Sequence, residues 1–472
     1  MYRPLHFLIL VLLAAFSAAD DLPPLSDFQG AYRGDDGATV EIVAAKQLFA
    51  VLDDAKYRLD RTGADSFRNT AGEPIIFVRD ASGRVRGYED HGQLHARYST
   101  RVSQQSEDLA SPRRGQQNYH YVPPARLGDG IATGDIADTP LGRKIADEIG
   151  TGILTEKWPD VHSVLLYLSG KLVLEEYFYG YSIDRPHQLR SATKSIVSAL
   201  AGIAIDRGAL PGVSVPVVRY LHYSSYAHPD PRKAQITLAQ LLSMSSGLDC
   251  NDHSSTSPGR ETLLDDQPDW VKATMDLPLI HAPGRAGYYC SGGVAVAGRV
   301  VENATHSYLP DFAQANLFRP LGIARNSWKW NYDLTNNDKE FSQIHLRPRD
   351  MLKIGILYAD GGRWEGRQVI SAGWVQASLS RQSMVDDTEY GYFWWHPWLL
   401  VKTGAGEQHV FLHAAQGNGG QKIYVVPELQ LVAVFTGGMY NTGNSPPNKI
   451  MAWVILPALL SSGKQAPSGT GF

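Results

Sequence analysis

A change of hydrophobic period part-way along the chain restricts its fold more than any other feature. Between residues 20 and 105 apolar residues recur at every second position in short runs, and no 3.6-residue period is visible. Ala38 to Val43 and Gln47 to Leu52 read as one pair of strands. Pro74 to Arg79 and Arg84 to Tyr88 read as another, joined across Asp80-Ala81-Ser82-Gly83, and Gln93 to Tyr98 follows His91-Gly92. This is the pattern of a small antiparallel all-β domain, a barrel or a sandwich. Residues 106 to 140 carry Pro112, Pro123-Pro124 and the glycine-rich run 128 to 134, and read as a linker.

From 141 to 462 helix and strand signals mix. Leu141 to Ile149 and Ser191 to Asp206 have helical spacing, with Ile196, Leu200 and Ile203 on one side of the second. Ser163 to Leu168 and Leu172 to Phe178 form a predicted hairpin across Ser169-Gly170-Lys171. Further helices are expected near 237–245, 294–303, 347–359 and 373–380. Strands return at Tyr392 to Trp395, Gln421 to Val426 and Gln430 to Phe435. Strands at both ends with helices between predict an α+β domain. Met451 to Leu460, opened by Pro446-Pro447, reads as a packed C-terminal helix, and residues 463 to 472 as a flexible tail.

Composition narrows the function. The chain has 472 residues, with 44 Lys+Arg against 48 Asp+Glu and a formal net charge of -4. That balance is too near neutral for nucleic acid to be the main partner. Two cysteines, Cys250 and Cys290, exclude a four-cysteine zinc site or a four-thiolate iron–sulfur cluster. Met1 to Ala19 reads as a secretory signal: Arg3 and His6, an apolar run from Phe7 to Phe16, then Ser17-Ala18-Ala19 before Asp20-Asp21. The run is too short for a stable membrane span, which needs about 20 residues. A secreted or periplasmic protein is the expectation, with its oligomeric state left open.

The sharpest chemical signal is Ser191-Ala192-Thr193-Lys194 at the start of a predicted helix. Ser and Lys at i and i+3 share a helical face, so the amine can reach the hydroxyl. A serine is a poor nucleophile until a base takes its proton. A lysine serves only if its surroundings tune its pKa, and the helix N-terminus adds N–H groups for an oxyanion. Standing alone, the tetrapeptide reads first as a helix N-cap, and only its surroundings raise the catalytic reading. Asp249, Asp252 and His253 form a polar loop without a closed ligand set; they read as solvated or Asx-turn residues, and no metal or cofactor is expected.

Leu189-Arg190-Ser191-Ala192-Thr193-Lys194-Ser195-Ile196-Val197-Ser198 resembles the nucleophile segment of class C-type β-lactamases. Related esterases, D-amino acid peptidases and 6-aminohexanoate-dimer hydrolases share it. Leu241 to Leu248, Pro283-Gly284 with Tyr289-Cys290-Ser291, Leu317 to Ile323, and Gln416-Gly417-Asn418-Gly419-Gly420 running into Ile423 to Pro427 are similar to later segments of that family in order and distance. The resemblance spans roughly residues 140 to 460. It implies a β-lactamase-like catalytic domain, an antiparallel sheet flanked by helices plus an all-helical region, after the small β domain.

The resemblance implies roles. Ser191 is the acylated nucleophile, Lys194 shares its proton, and Tyr289 carries a proton to the leaving group. The oxyanion would meet the N–H groups of Ser191 and Asn418, with Ser291, Gln416 and Gly417 lining the substrate site. Two departures stand out. Ser291 replaces a usual Asn, and Ala415-Gln416-Gly417 replaces a Lys- or His-containing motif, which removes the cation that would meet a substrate carboxylate. The expectation is therefore an ester or amide of a small molecule or short peptide, with poor turnover of common β-lactams. The alternatives are a β-lactamase or D-amino peptidase acting on cell-wall-like substrates, or a non-catalytic binding protein on the same scaffold. Cys250 and Cys290 should flank the site, where a disulfide is expected to tie two loops. Tyr390, Tyr392, Trp394 and Trp395 read as a strand that could wall an acyl pocket or fill the core.

Overall fold

The structure, a computed structural model, describes residues 22–463 apart from 36, 53–54, 114–115, 117, 331 and 333–343. The expected signal segment, 1–19, and all but the first residue of the expected tail lie outside the described residues. The chain divides into two compact units, one ending at Ala110 and one starting at Ser111.

The first unit is a closed barrel of eight strands: Gly30–Arg33, Thr39–Ala44, Leu48–Leu52, Ala55–Arg61, Ser66–Arg68, Pro74–Arg79, Val85–Asp90 and Gln93–Ser99. Each is antiparallel to the next, and the last pairs back onto the first. Eight strands leave an interior that side chains can fill. Here Phe28, Tyr32, Phe67, Phe77 and Tyr88 fill it, with ring centroids 4.6 to 6.0 Å apart. The Tyr32 hydroxyl donates to the Phe28 carbonyl at 2.6 Å, satisfying the buried polar tip. The helix Gln104–Leu109, capped by Ser103, closes this unit.

The second unit is built on an eight-stranded antiparallel sheet. Its order is Lys171–Tyr177, Val161–Leu168, Leu431–Gly437, Gln421–Val426, His413–Gly417, Trp395–His396, Thr388–Tyr390 and Ser383–Val385. The segment expected as a linker packs on its edge instead of hanging free. Thr133 bridges to Leu172, the Tyr121 hydroxyl donates to the Val173 carbonyl, and Arg113 and Tyr119 both reach Glu176. One sheet face is covered by Pro348–Ala359, whose Gly355 admits Val432 and Ile423 where a Cβ would stand 2.4 Å from Val432. Thr193–Asp206 lies in the same core. It is buried all round, every residue from Thr193 to Ala204, the polar Lys194, Ser195 and Ser198 included.

The aromatic run departs from expectation. The chain turns at Gly391–Trp394, with the Gly391 N–H donating to the Trp394 carbonyl and Phe393 at φ +57°, so the strand is only Trp395–His396. Tyr392 packs on Trp374 and Trp394 on Tyr358 in the core.

Candidate active site

Ser191 sits in a 3-10 turn, Arg190–Ala192, that runs straight into the Thr193–Asp206 helix. Arg190 just before it has φ +49°, a left-handed backbone that costs energy for a residue with a side chain. The entering strand is fixed from outside: His187–Gln188 pairs with His345 and Leu346, and the Leu189 N–H donates to the Ile344 carbonyl. One turn on, the Lys194 side chain is buried, and its Nζ donates to Ser191 Oγ at 2.9 Å. The Lys194 Nζ also lies 5.0 Å from the Tyr289 ring centroid, and Ser191 is near enough to the Tyr289 phenol to pull its pKa down. Three residues drawn from two segments almost 100 positions apart thus meet at one point.

Tyr289 is held from every side. Cys290 beside it is bonded to Cys250 in a disulfide, Cα to Cα 5.3 Å. The Asp252 N–H donates to the Tyr289 carbonyl at 2.8 Å, and Asp252 Oδ2 accepts from the Ser291 N–H at 2.8 Å. The His253 ring stacks on one face of Tyr289 at 5.1 Å, nearly parallel, and Trp395 stacks at 5.4 Å. His253 in turn bonds Asp386 on the hairpin turn of the sheet edge. The polar loop is therefore not merely solvated: Asp252 and His253 are built into the site, and Asn251 makes the Asx turn by accepting from the His253 N–H.

The electrostatics are those of a tightly coupled group. Burial opposes the charge on Lys194, but Tyr289, Glu261 and Asp252 outweigh it and hold the amine above its ordinary value. Burial raises the phenol of Tyr289, more than Lys194 and the Ser191 hydrogen bond lower it. Burial and then Glu261 push the Asp252 carboxyl up, against the pull of Lys194 and Ser291. Ammonium and phenol are thus the resting forms near neutrality.

The His413–Gly417 strand completes the site. A Cβ on Gly417 would stand 2.2 Å from the Leu189 carbonyl, so only glycine lets this strand pass the Ser191 turn. Gly419 and Gly420 have φ +91° and +100° and make the turn that follows. Asn418 opens that turn with its side chain locked to Asn441 by two bonds, of 2.7 and 3.0 Å. Ala415 belongs to the helix-facing core, so strand alternation places Gln416 on the opposite face, where it accepts from Lys422 of the adjacent strand. Gln416 is thus set apart from Ser191, Lys194 and Tyr289. The Ser291 side chain is buried at the head of the Ser291–Thr305 helix, with its N–H committed to Asp252.

Asp252, His253 and Asp386 were not singled out as site residues from the sequence, and Trp395 was read only as a possible pocket wall or core aromatic. The expected Cys250–Cys290 link was the available signal, because it brings the residues just after Cys250 beside Tyr289.

A serine one turn before a buried lysine, at the head of a central helix beside an antiparallel sheet, defines the class of β-lactamase-fold serine hydrolases. The β-lactamase family profile matches residues 161–459, and the chain belongs to that family. The 6-aminohexanoate-dimer hydrolase of Paenarthrobacter ureafaciens is 26% identical over 289 residues, 56% of this chain and 71% of that protein. The lovastatin esterase of Penicillium rubens is 32% identical over 137 residues, 28% of this chain and 33% of that protein. The simvastatin synthase structure of Aspergillus terreus superposes with a TM-score of 0.52 at 14% identity, over 71% of this chain and all of that one, a likeness of fold. No described helix is long and apolar enough to cross a membrane.

Proposed function

We propose that this serine hydrolase cleaves an ester or amide of a small molecule or short peptide through an acyl-enzyme on Ser191, outside the cytoplasm. The 2.9 Å contact of Lys194 Nζ with Ser191 Oγ, with the Tyr289 ring 5.0 Å from the same amine, carries the reading. Ser191 Oγ attacks the carbonyl carbon while its proton passes to the Lys194–Tyr289 pair. With ammonium and phenol at rest, the accepting form is the one in which the pair has lost a proton, so activity falls as pH is lowered. The tetrahedral oxyanion lies between the Ser191 and Asn418 N–H groups. Tyr289 returns the proton to the departing alcohol or amine. Water then attacks the acyl carbon and gives a proton to the same pair; the pair hands that proton to Ser191 Oγ as its bond to the acyl carbon breaks, which releases the carboxylic acid and free Ser191.

The names of the two relatives, an amide hydrolase and an esterase, support this substrate class. Ala415 stands where a cation would meet a substrate carboxylate, which favours neutral esters and linear amides over β-lactams. A panel of esters, linear amides, D-amino peptides and β-lactams, with Ser191→Ala as control, tests the reading. Expected are ester or amide turnover and phosphonate labelling, both abolished in Ser191→Ala. Absence of both in the native protein favours a binding protein, and fast cephalosporin hydrolysis favours a β-lactamase. The Met1–Ala19 pattern and the Cys250–Cys290 disulfide support export. Sequencing of exported protein should find a chain starting at Asp20; retention of the whole chain in the cytoplasm would refute export.

A further inference from the structure

We propose that Asp252 is a positioning residue for this chemistry: it clamps the Tyr289 turn onto the head of the Ser291–Thr305 helix, and with Glu261 its carboxylate supplies the counter-charge of Lys194. The inference rests on the proposed role of Ser191, Lys194 and Tyr289.

The clamp is visible in three bonds. Asp252 donates its N–H to the Tyr289 carbonyl, accepts the Ser291 N–H on Oδ2, and accepts the Glu261 N–H on Oδ1, each at 2.8 Å. Both carboxylate oxygens are therefore pinned by backbone donors, and the group cannot swing away from the site. Ser291 opens a fifteen-residue helix, so the N–H that holds Oδ2 belongs to the positive end of a helix dipole. Cys250 and Cys290 fasten the same two loops two residues before Asp252 and one before Ser291.

The counter-charge follows by elimination. An ammonium buried as fully as that of Lys194 needs an anion in its field. The ionisable groups acting on it are Tyr289, Glu261 and Asp252. Tyr289 keeps its proton near neutrality, so the phenol supplies no charge at rest. Ser191 and Ser195 from its own helix are neutral; Ser195 is engaged with the Phe393 carbonyl. His253 lies on the outer face of Tyr289 and is matched by Asp386, and Tyr390 bears on Tyr289 from the sheet. Asp252 and Glu261 remain, and Glu261 reaches this place through its own backbone bond to Asp252.

Removing the charge lets the Lys194–Tyr289 pair lose its proton at lower pH, so the acid limb of kcat/KM moves acidward. Asp252→Asn should move it by about one pH unit. Asp252→Glu keeps the charge and should leave the limb in place while lowering kcat through the displaced clamp. An unmoved limb in Asp252→Asn, or an equal shift in both variants, overturns the proposal. If Asp252→Asn does not fold, Glu261→Gln carries the test, with an acidward shift expected and an unmoved limb as refutation. Absence of turnover in the native protein would instead sink the proposed function, which keeps the two failures apart.

Discussion

Lys422→Met should stabilise the protein, and by an amount that depends on pH. Lys422 lies on a central strand with 7% of its surface exposed, and its only described partner is the neutral side-chain oxygen of Gln416. Burial pushes the amine down from 10.5 to about 7. The unfolded chain keeps its ordinary lysine value. Between pH 7 and 10.5 the unfolded state therefore binds more protons than the folded state, and stability rises with pH. The separation of about 3.5 units corresponds to ~5 kcal/mol at about 1.4 kcal/mol per unit, fully felt below pH 7. Relaxation around the amine lowers this, and the Gln416 oxygen loses a donor worth about 1 kcal/mol. Methionine fills a similar volume without the charge. A gain of ~2–4 kcal/mol is expected at pH 6, shrinking steadily towards pH 9.5. Urea unfolding of both proteins at half-unit pH steps measures it, because the difference between them cancels the other titrating groups. A variant less stable at pH 6, or a difference that does not change with pH, would refute the reasoning.

Tyr289→Phe keeps the stack between His253 and Trp395 but removes the hydroxyl; kcat should fall ~10²–10⁴-fold with little change in Tm, read by ester turnover and calorimetry. Replacing both Cys250 and Cys290 with serine opens a loop of 40 residues and should cost ~4 kcal/mol, matching native protein unfolded under reductant; a midpoint that reductant leaves unchanged would refute the cost. Gly417→Val drives a side chain into the Leu189 carbonyl and should abolish turnover and phosphonate labelling together. Gly373→Ala, in the open on the Ala372–Leu379 helix, should leave turnover unchanged and add ~0.5–1 kcal/mol of stability, measured by urea unfolding.

Regular periodicity was legible where one face of an element meets the core and the other meets water. The pairs Thr39–Ala44 with Leu48–Leu52 and Pro74–Arg79 with Val85–Asp90 follow the expected runs within one or two residues. Gly30–Arg33, Ala55–Arg61 and Ser66–Arg68 were not read as strands, because they are short or rich in outward charge; closure into a barrel depends on them. Tyr390 to Trp395 was misread for the opposite reason: four aromatics are buried there through a turn, so alternation did not mean a strand. Ser191 and Lys194 were legible because their contact is local to one helical turn. Asp252 was not, because its partners are backbone groups of residues 37 and 39 positions later, and a polar loop with remote partners reads as solvated.

The central strand pairing of the second unit constrains how that unit can assemble. Val161–Leu168 is paired on one side with its hairpin partner and on the other with Leu431–Gly437, so Leu165 meets Val434 across the ladder. Closing that ladder joins segments more than 260 residues apart, a high contact order that slows folding. On the ribosome, the Ser191 turn is complete in sequence long before the His413–Gly417 strand that must pass beside it emerges. The Ser191 turn therefore waits for the strand that packs beside it until synthesis is nearly finished, and the sheet that joins the two closes last.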